Sequence, residues 1–270
     1  MKKILLCTNP KMNLSIRETI DYAEKLRDFV DKNLEQWMNI DVYIIPDHLA
    51  FHGVSRTVEN SMLKISAQNC FYEDRGAYTG EVSPKVLKEY GCSYVMLGHP
   101  ERIIHGKEDR VMINRKVRAV LKNRMSPVLL AVEREKRKDM NLTVNEILED
   151  LMPYLKDVSA EDVKKTVIIY EPAWAIGTGS AAPVEHSYEI LRRLREALGN
   201  EYSRETGEEV LFQYGGGVTL ESAREIMKLD NINGIGMGRA GLNIDFFTQA
   251  VKIAIELQQS RKKLEPSQNA

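Results

Sequence analysis

Val167-Ile168-Ile169-Tyr170-Glu171-Pro172-Ala173-Trp174-Ala175-Ile176-Gly177-Thr178-Gly179 is the stretch on which the reading of the chain turns. A run of β-branched residues reads as a buried strand, and it ends in a carboxylate followed at once by a proline that cannot donate to a strand ladder. Glu171 is therefore expected at the C-terminal mouth of that strand. The loop beyond it carries apolar side chains, Trp174 and Ile176, and then two glycines, Gly177 and Gly179, spaced like a hinge. Such a loop can close over a ligand, exclude water and bring a backbone N–H to a phosphate. A strand-ending Glu before an ordinary turn is the plainer reading, and only the rest of the chain decides between the two.

Outward from this stretch, short apolar runs alternate with segments of helical periodicity. Ile4–Cys7 is read as the first strand, followed by an amphipathic helix from Ile16 to Trp37 with Ile20, Ala23, Leu26, Val30 and Leu34 on one face. Further strands are expected at Val42–Ile45, Leu63–Ala67, Tyr94–Leu97, Val128–Val132, Leu211–Gln213 and Gly234–Met237. Helices are expected at Phe51–Glu59, Pro84–Tyr90 with Ser83 as its cap, Asp109–Asn123, Val144–Leu155, Ala160–Lys164, Val184–Leu198, Leu220–Leu229 and Asp245–Gln258. The alternating-sign run Glu133–Asp139 reads as a solvated loop. Eight βα units without a linker in about 250 residues are the size of a (β/α)8 barrel. An open doubly wound sheet is the competitor, but no Gly-x-Gly-x-x-Gly turn follows the first strand, and polar residues follow many different strands. The expected organisation is one barrel over residues 1–260 with a polar tail at 261–270.

Composition narrows the partners. The 270-residue chain has a formal net charge of −1 and is 43% hydrophobic, so it lacks a basic field for nucleic acid or membrane, and a small molecule is the expected partner. Cys7, Cys70 and Cys92 form no Cys-x-x-Cys pair and suggest neither a disulfide framework nor a metal site. The N-terminus has no signal or membrane-spanning pattern, so the cytoplasm is expected.

In a barrel, the strand ends converge on one mouth. Asn9 and Lys11 follow the first strand, His99 and Glu101 the fourth, Glu171 the sixth, Gly215–Gly217 the seventh and Gly238 the eighth. These supply an amide, an ammonium, an imidazole, a carboxylate base and phosphate-binding backbone. Tyr-Glu-Pro-Ala-Trp-Ala-Ile-Gly-Thr-Gly (170–179), Gly-His-Pro-Glu-Arg (98–102), Asn-Pro-Lys-Met-Asn (9–13), Gly-Ala-Tyr-Thr-Gly-Glu (76–81) and Tyr-Gly-Gly-Gly-Val (214–218) together resemble the triosephosphate isomerase family, in its order and over nearly the whole chain.

The resemblance implies a TIM barrel and a cofactor-independent, metal-free aldose–ketose isomerase acting on a small phosphorylated sugar. It implies that Glu171 moves the proton, that His99 polarises the carbonyl, that Lys11 and Asn9 hold the developing oxyanion, and that Glu101 pairs with Lys11. Gly177, Gly217, Gly238 and Arg239 are the implied phosphate contacts, and Pro172, Ala173, Trp174, Ala175, Ile176, Thr178 and Gly179 the implied lid. Thr79 is the implied tip of a homodimer loop. His48, His52, His105 and His186 gain no role and read as structural.

The chain departs from the family pattern at Pro10, where a tryptophan is usual, at Pro100 and Gly217, where serines are usual, and at Ser180, where the lid often ends in lysine. The largest departure is Gly238-Arg239 in place of two glycines. Gly-Arg there is similar to relatives acting on four-carbon ketose phosphates, so an erythrulose phosphate isomerase is the alternative, with a silent sugar-phosphate binder as a third reading.

Overall fold

A computed structural model of the chain describes residues 2–34, 39–178 and 180–264. The elements are β1 (Ile4–Thr8), α1 (Ile16–Leu34), β2 (Ile40–Ile44), α2 (His48–Thr57), β3 (Lys64–Ala67), α3 (Pro84–Glu89), β4 (Cys92–Leu97), α4 (Pro100–Gly106) and α5 (Arg110–Lys122). They continue with β5 (Ser126–Glu133), α6 (Met140–Tyr154), α7 (Ala160–Val163), β6 (Val167–Pro172), α8 (Val184–Glu201), α9 (Arg204–Glu209), β7 (Leu211–Gly215), α10 (Leu220–Lys228), β8 (Gly234–Met237) and α11 (Ile244–Leu264). All eight strands are parallel and close in sequence order, β8 pairing back onto β1. This is the closed (β/α)8 barrel, and the open-sheet alternative is excluded.

The two-residue period of the strands divides the core in two. Leu5, Cys7, Tyr43, Ile45, Tyr94, Met96, Val128, Leu130, Val167 and Ile169 point inward and fill the barrel. Ile4, Leu6, Ile168 and Tyr170 point outward and join the larger core beneath the helices. The same alternation, carried one step beyond Val167 and Ile169, turns Glu171 inward at the open end.

Tyr43, Gln213 and Asp41 are polar groups paired within the barrel. Tyr43 donates its hydroxyl to Gln213 Oε1 at 2.6 Å, and Gln213 Nε2 donates to the Leu5 carbonyl at 3.0 Å. Asp41, at the opposite end from the mouth, receives Lys3 and Lys64 and the Tyr94 hydroxyl.

Several boundaries differ from the sequence reading for identifiable reasons. β6 runs through Pro172, whose missing N–H is tolerated where the ladder ends. β5 runs to Glu133, which is 1% exposed and not part of a solvated loop. Two short helices, α4 and α9, were not anticipated. α4 is capped by an imidazole, an unusual Ncap type, and α9 has a glycine in its interior. α11 extends to Leu264, so residues 261–264 of the segment set apart as a tail are helical. The expected helix end at Trp37, the lid residue Gly179 and tail residues 265–270 lie outside the described residues.

One buried ionic cluster fixes α4 against its neighbours. Glu108 accepts from Lys116 of α5 at 2.6 Å and from Arg102 of α4 at 2.5 Å, and Lys116 also donates to Asn69 at 3.0 Å. Lys116 and Glu108 are almost wholly buried, so each needs the other to offset its desolvation. The start of α4, which carries two of the expected site residues, is thereby held in place.

Candidate active site

At the C-terminal ends of the strands lies a hollow of about 580 Å³. Asn9, Lys11, His99, Glu101 and Glu171 all line it, although they are scattered over 160 positions of sequence. Its floor is apolar, built from Cys7, Met96, Leu130 and Ile169, the last inward-facing layer of the barrel. None of these four was anticipated as a site residue, although the strand alternation carried the signal.

Asn9 is buried directly beyond β1, and its Oδ1 accepts the Lys11 N–H at 2.8 Å. That bond helps hold Lys11 at φ +53°, a left-handed conformation costing roughly 1–2 kcal/mol for a residue with a β-carbon. The Pro10 carbonyl accepts both the backbone and side-chain N–H of Asn13, closing the turn. So presented, Lys11 Nζ meets Glu101 Oε1 at 2.6 Å, the pairing expected from sequence.

His99 reaches the hollow because Gly98 turns the chain at φ +68°, which favours glycine. Its Nδ1 accepts the Glu101 N–H at 3.2 Å, and it thereby caps α4. With Nδ1 accepting, a neutral ring carries its proton on Nε2. Burial and the Lys11 charge push the imidazole down to about 4 against the opposing pull of Glu101, so the ring is neutral at neutral pH. The 3.7 Å approach of Glu101 Oε2 to Nδ1 is consequently not an ion pair.

Glu171 shifts the other way. Burial raises its carboxyl above the ordinary carboxylate value, Lys11 opposes the rise, and Glu101 adds to it. For Glu101 itself, burial pulls upward, but the Lys11 hydrogen bond and the neighbouring charges outweigh it and hold the group low. One hollow thus contains a carboxylate of heightened proton affinity, a neutral N–H donor and an ammonium.

The far wall is made of backbone. Gly177, Gly217, Gly238 and Arg239 all line the hollow, joined by Gly215, Gly216 and Ala240. At Gly217 a β-carbon would stand 2.6 Å from the Ser180 carbonyl and 3.1 Å from that of Ala175, so with the lid in this position no side chain fits there. The departure from serine at 217 has a steric reason in the lid's close approach. Arg239 is exposed and, among the described residues, has no hydrogen-bond or ion-pair partner.

The lid leaves β6 at Pro172 and makes a single 3₁₀ turn at Ala173–Ala175. Trp174 packs against the outer core, Ala175 is buried, and Ile176, 48% exposed, overhangs the hollow with Gly177. Thr178 ties the turn together, donating its hydroxyl to the Ala175 carbonyl at 2.8 Å. At the exit, the Ala182 N–H donates to the Tyr214 hydroxyl at 2.9 Å. Thr79 is not part of the hollow and lies on the exposed loop 76–81.

With this geometry in hand, comparisons with known proteins agree with it. A sequence model of the family described as triosephosphate isomerase matches residues 4–254. The chain is 34% identical to a triosephosphate isomerase of Fusobacterium nucleatum over 252 residues, covering 93% of this chain and 99% of that protein. It is 34% identical to the enzyme of that name from Chloroherpeton thalassium, covering 94% and 100%. To that of Saccharopolyspora erythraea it is 36% identical, covering 93% and 96%. A match over nearly the full length of each relative, on a closed barrel with this mouth, means that the chain belongs to the triosephosphate isomerase family.

Proposed function

We propose that the chain interconverts dihydroxyacetone phosphate and glyceraldehyde 3-phosphate by proton transfer through an enediolate. The observation that carries this reading is the opposite displacement of two proton affinities in one hollow: Glu171 raised and His99 lowered. A carbon acid beside a carbonyl is weak, so its base needs a proton affinity above that of a solvated carboxylate. Glu171 takes the proton from the carbon next to the carbonyl and later returns it to the adjacent carbon. The His99 Nε2–H donates to the oxygen that becomes negative, then helps move a proton between the two oxygens. Lys11 and Asn9 stabilise the same developing charge, and Glu101 orients Lys11. Substrate and product are isomers, and every proton removed is returned.

Ile176 and Gly177 then act as the cover that keeps water from the enediolate. The phosphate is placed against Gly177, Gly217 and Gly238, whose backbones line the wall, and the unpaired Arg239 guanidinium supplies a charged donor to it. The relatives compared above carry the triose name, and no observation favours the four-carbon reading suggested by Gly238-Arg239. A silent binder has no use for a half-buried carboxylate of raised proton affinity.

The same reading makes the protein a cytoplasmic homodimer. Met12, Leu49, Tyr78, Val86 and Tyr90, all in the segments between β1 and β4, expose apolar side chains that a partner subunit would cover. A second hollow of about 270 Å³ opens beside Lys11, between Met12, His48, Gln68 and His105, and is open to a partner's loop. All three cysteines are free and buried, in keeping with a reducing compartment. No helix among the described residues is long and apolar enough to cross a membrane.

Glu171→Gln is expected to lower kcat by about 10³-fold and to abolish deuterium uptake into dihydroxyacetone phosphate in heavy water, while the fold persists; uptake at the parent rate would reject Glu171 as the base. Arg239→Gly is expected to raise KM several-fold with kcat little changed, and an unaltered KM would reject direct phosphate contact. Sedimentation equilibrium is expected to give twice the 30.8 kDa chain mass; a monomer at assay concentration would reject the dimer.

A further inference from the structure

Glu133 closes β5 on the face turned away from the hollow, and no step described above uses the residues gathered on it. Its carboxylate is 1% exposed and accepts the Tyr170 hydroxyl at Oε2. His186 Nε2 lies 3.0 Å from both carboxylate oxygens. This geometry suits an Nε2–H donating to the carboxylate. These three side chains come from three elements. Tyr170 immediately precedes the base on β6, Glu133 ends the strand beside it, and His186 stands in the first turn of α8, just past the lid's exit. The outer side of the His186 ring meets the lid, with Trp174 edge-on at 5.8 Å between centroids and 78° between planes.

We propose that His186 is a positioning residue for the lid: paired with Glu133, it anchors the lid's exit to β5, the strand beside the one that seats the base, and gives Trp174 a surface to rest against. The lid's entry is held by the β5–β6 ladder, where Glu133 is in register with Pro172. Its exit has two attachments, the Ala182–Tyr214 hydrogen bond and the His186–Glu133 pair. Both attachments lead back to strand ends, and Glu133 touches both roots of the lid, through its backbone register with Pro172 at the entry and through its carboxylate on His186 at the exit. Among the described residues the buried Trp174 indole N–H has no acceptor, so within them that ring is held by packing and not by a hydrogen bond. Trp174 packs against the outer core and, edge-on, against His186, while the Lys136 ammonium lies 5.2 Å from its ring centroid. Displacing the exit would cost Glu133 a partner in a site that water does not reach, and the pair therefore resists that displacement.

This inference rests on the lid role proposed above, and its test reads the lid separately from turnover. The chain has two tryptophans, so in a Trp37→Phe background the emission of Trp174 reports the lid alone. His186→Ala is expected to lower kcat/KM about tenfold and to blunt the emission change on titration with glycerol 3-phosphate. His186→Gln, which restores an N–H to Glu133, is expected to recover kcat/KM to within about threefold of the parent. A folded His186→Ala whose kcat, KM and emission response all match the parent overturns the proposal, even if its Tm is lower, since that is what a purely structural role predicts. If His186→Ala does not fold, Glu133→Gln keeps the shape and removes the charge, and unchanged kinetics and emission in it overturn the proposal equally. A parent that binds glycerol 3-phosphate with an emission change but does not isomerise would reject the proposed activity while leaving the lid's anchoring measurable.

Discussion

The loss of water at the mouth of the barrel is the constraint on which the rest of this structure depends. Desolvation penalises whichever form of a group is charged, so a single physical effect moves a carboxylic acid and an imidazole in opposite directions. The same burial raises the proton affinity of Glu171 and keeps the His99 ring neutral. Lys11 modulates both, lowering each, and its own charge is balanced by Glu101 outside the deepest part of the hollow. The barrel supplies this environment because the inward-facing layer beneath the mouth, Cys7, Met96, Leu130 and Ile169, is apolar and sealed.

The pieces that hold this arrangement are distributed around the barrel. α4 presents His99 and Glu101 because Glu108 and Lys116 lock its flank, and β6 presents Glu171 because Val167 and Ile169 already commit alternate residues to the interior. The lid is attached at both roots to strand ends, with Tyr214 and Glu133 receiving its exit. In the proposed mechanism, chemistry at the centre relies on hydrogen bonds made on the outer face of the sheet, one residue out of phase with the side chains that line the hollow.

Much of this was legible in the chain because strand ends announce themselves. Apolar runs that stop at Asn9, His99 or Glu171 place polar groups at one rim once a closed barrel is assumed, and the hollow does bring them together. Glu133 was misread because it heads the run Glu133–Asp139, whose later residues are charged and mostly exposed, while the strand period that buries it extends one residue beyond the apolar stretch. The contacts of His186, read from sequence as structural, have no local signal either: its partners lie 53 and 12 residues away and no local pattern links them. The absence of a side chain at 217 was visible as a departure, but its cause, the Ser180 carbonyl pressed against that position, depends on where the lid rests and has no signature in sequence.

The central claim, that burial keeps His99 neutral beside the base, is tested most directly by ¹⁵N NMR of histidine-labelled protein, with His99 assigned among the five histidines through His99→Gln. The account predicts a ring that stays unprotonated at Nδ1, with its proton on Nε2, from about pH 8 to about pH 5, titrating only toward about 4. A His99 signal that titrates near the ordinary value of about 6.5 would contradict it.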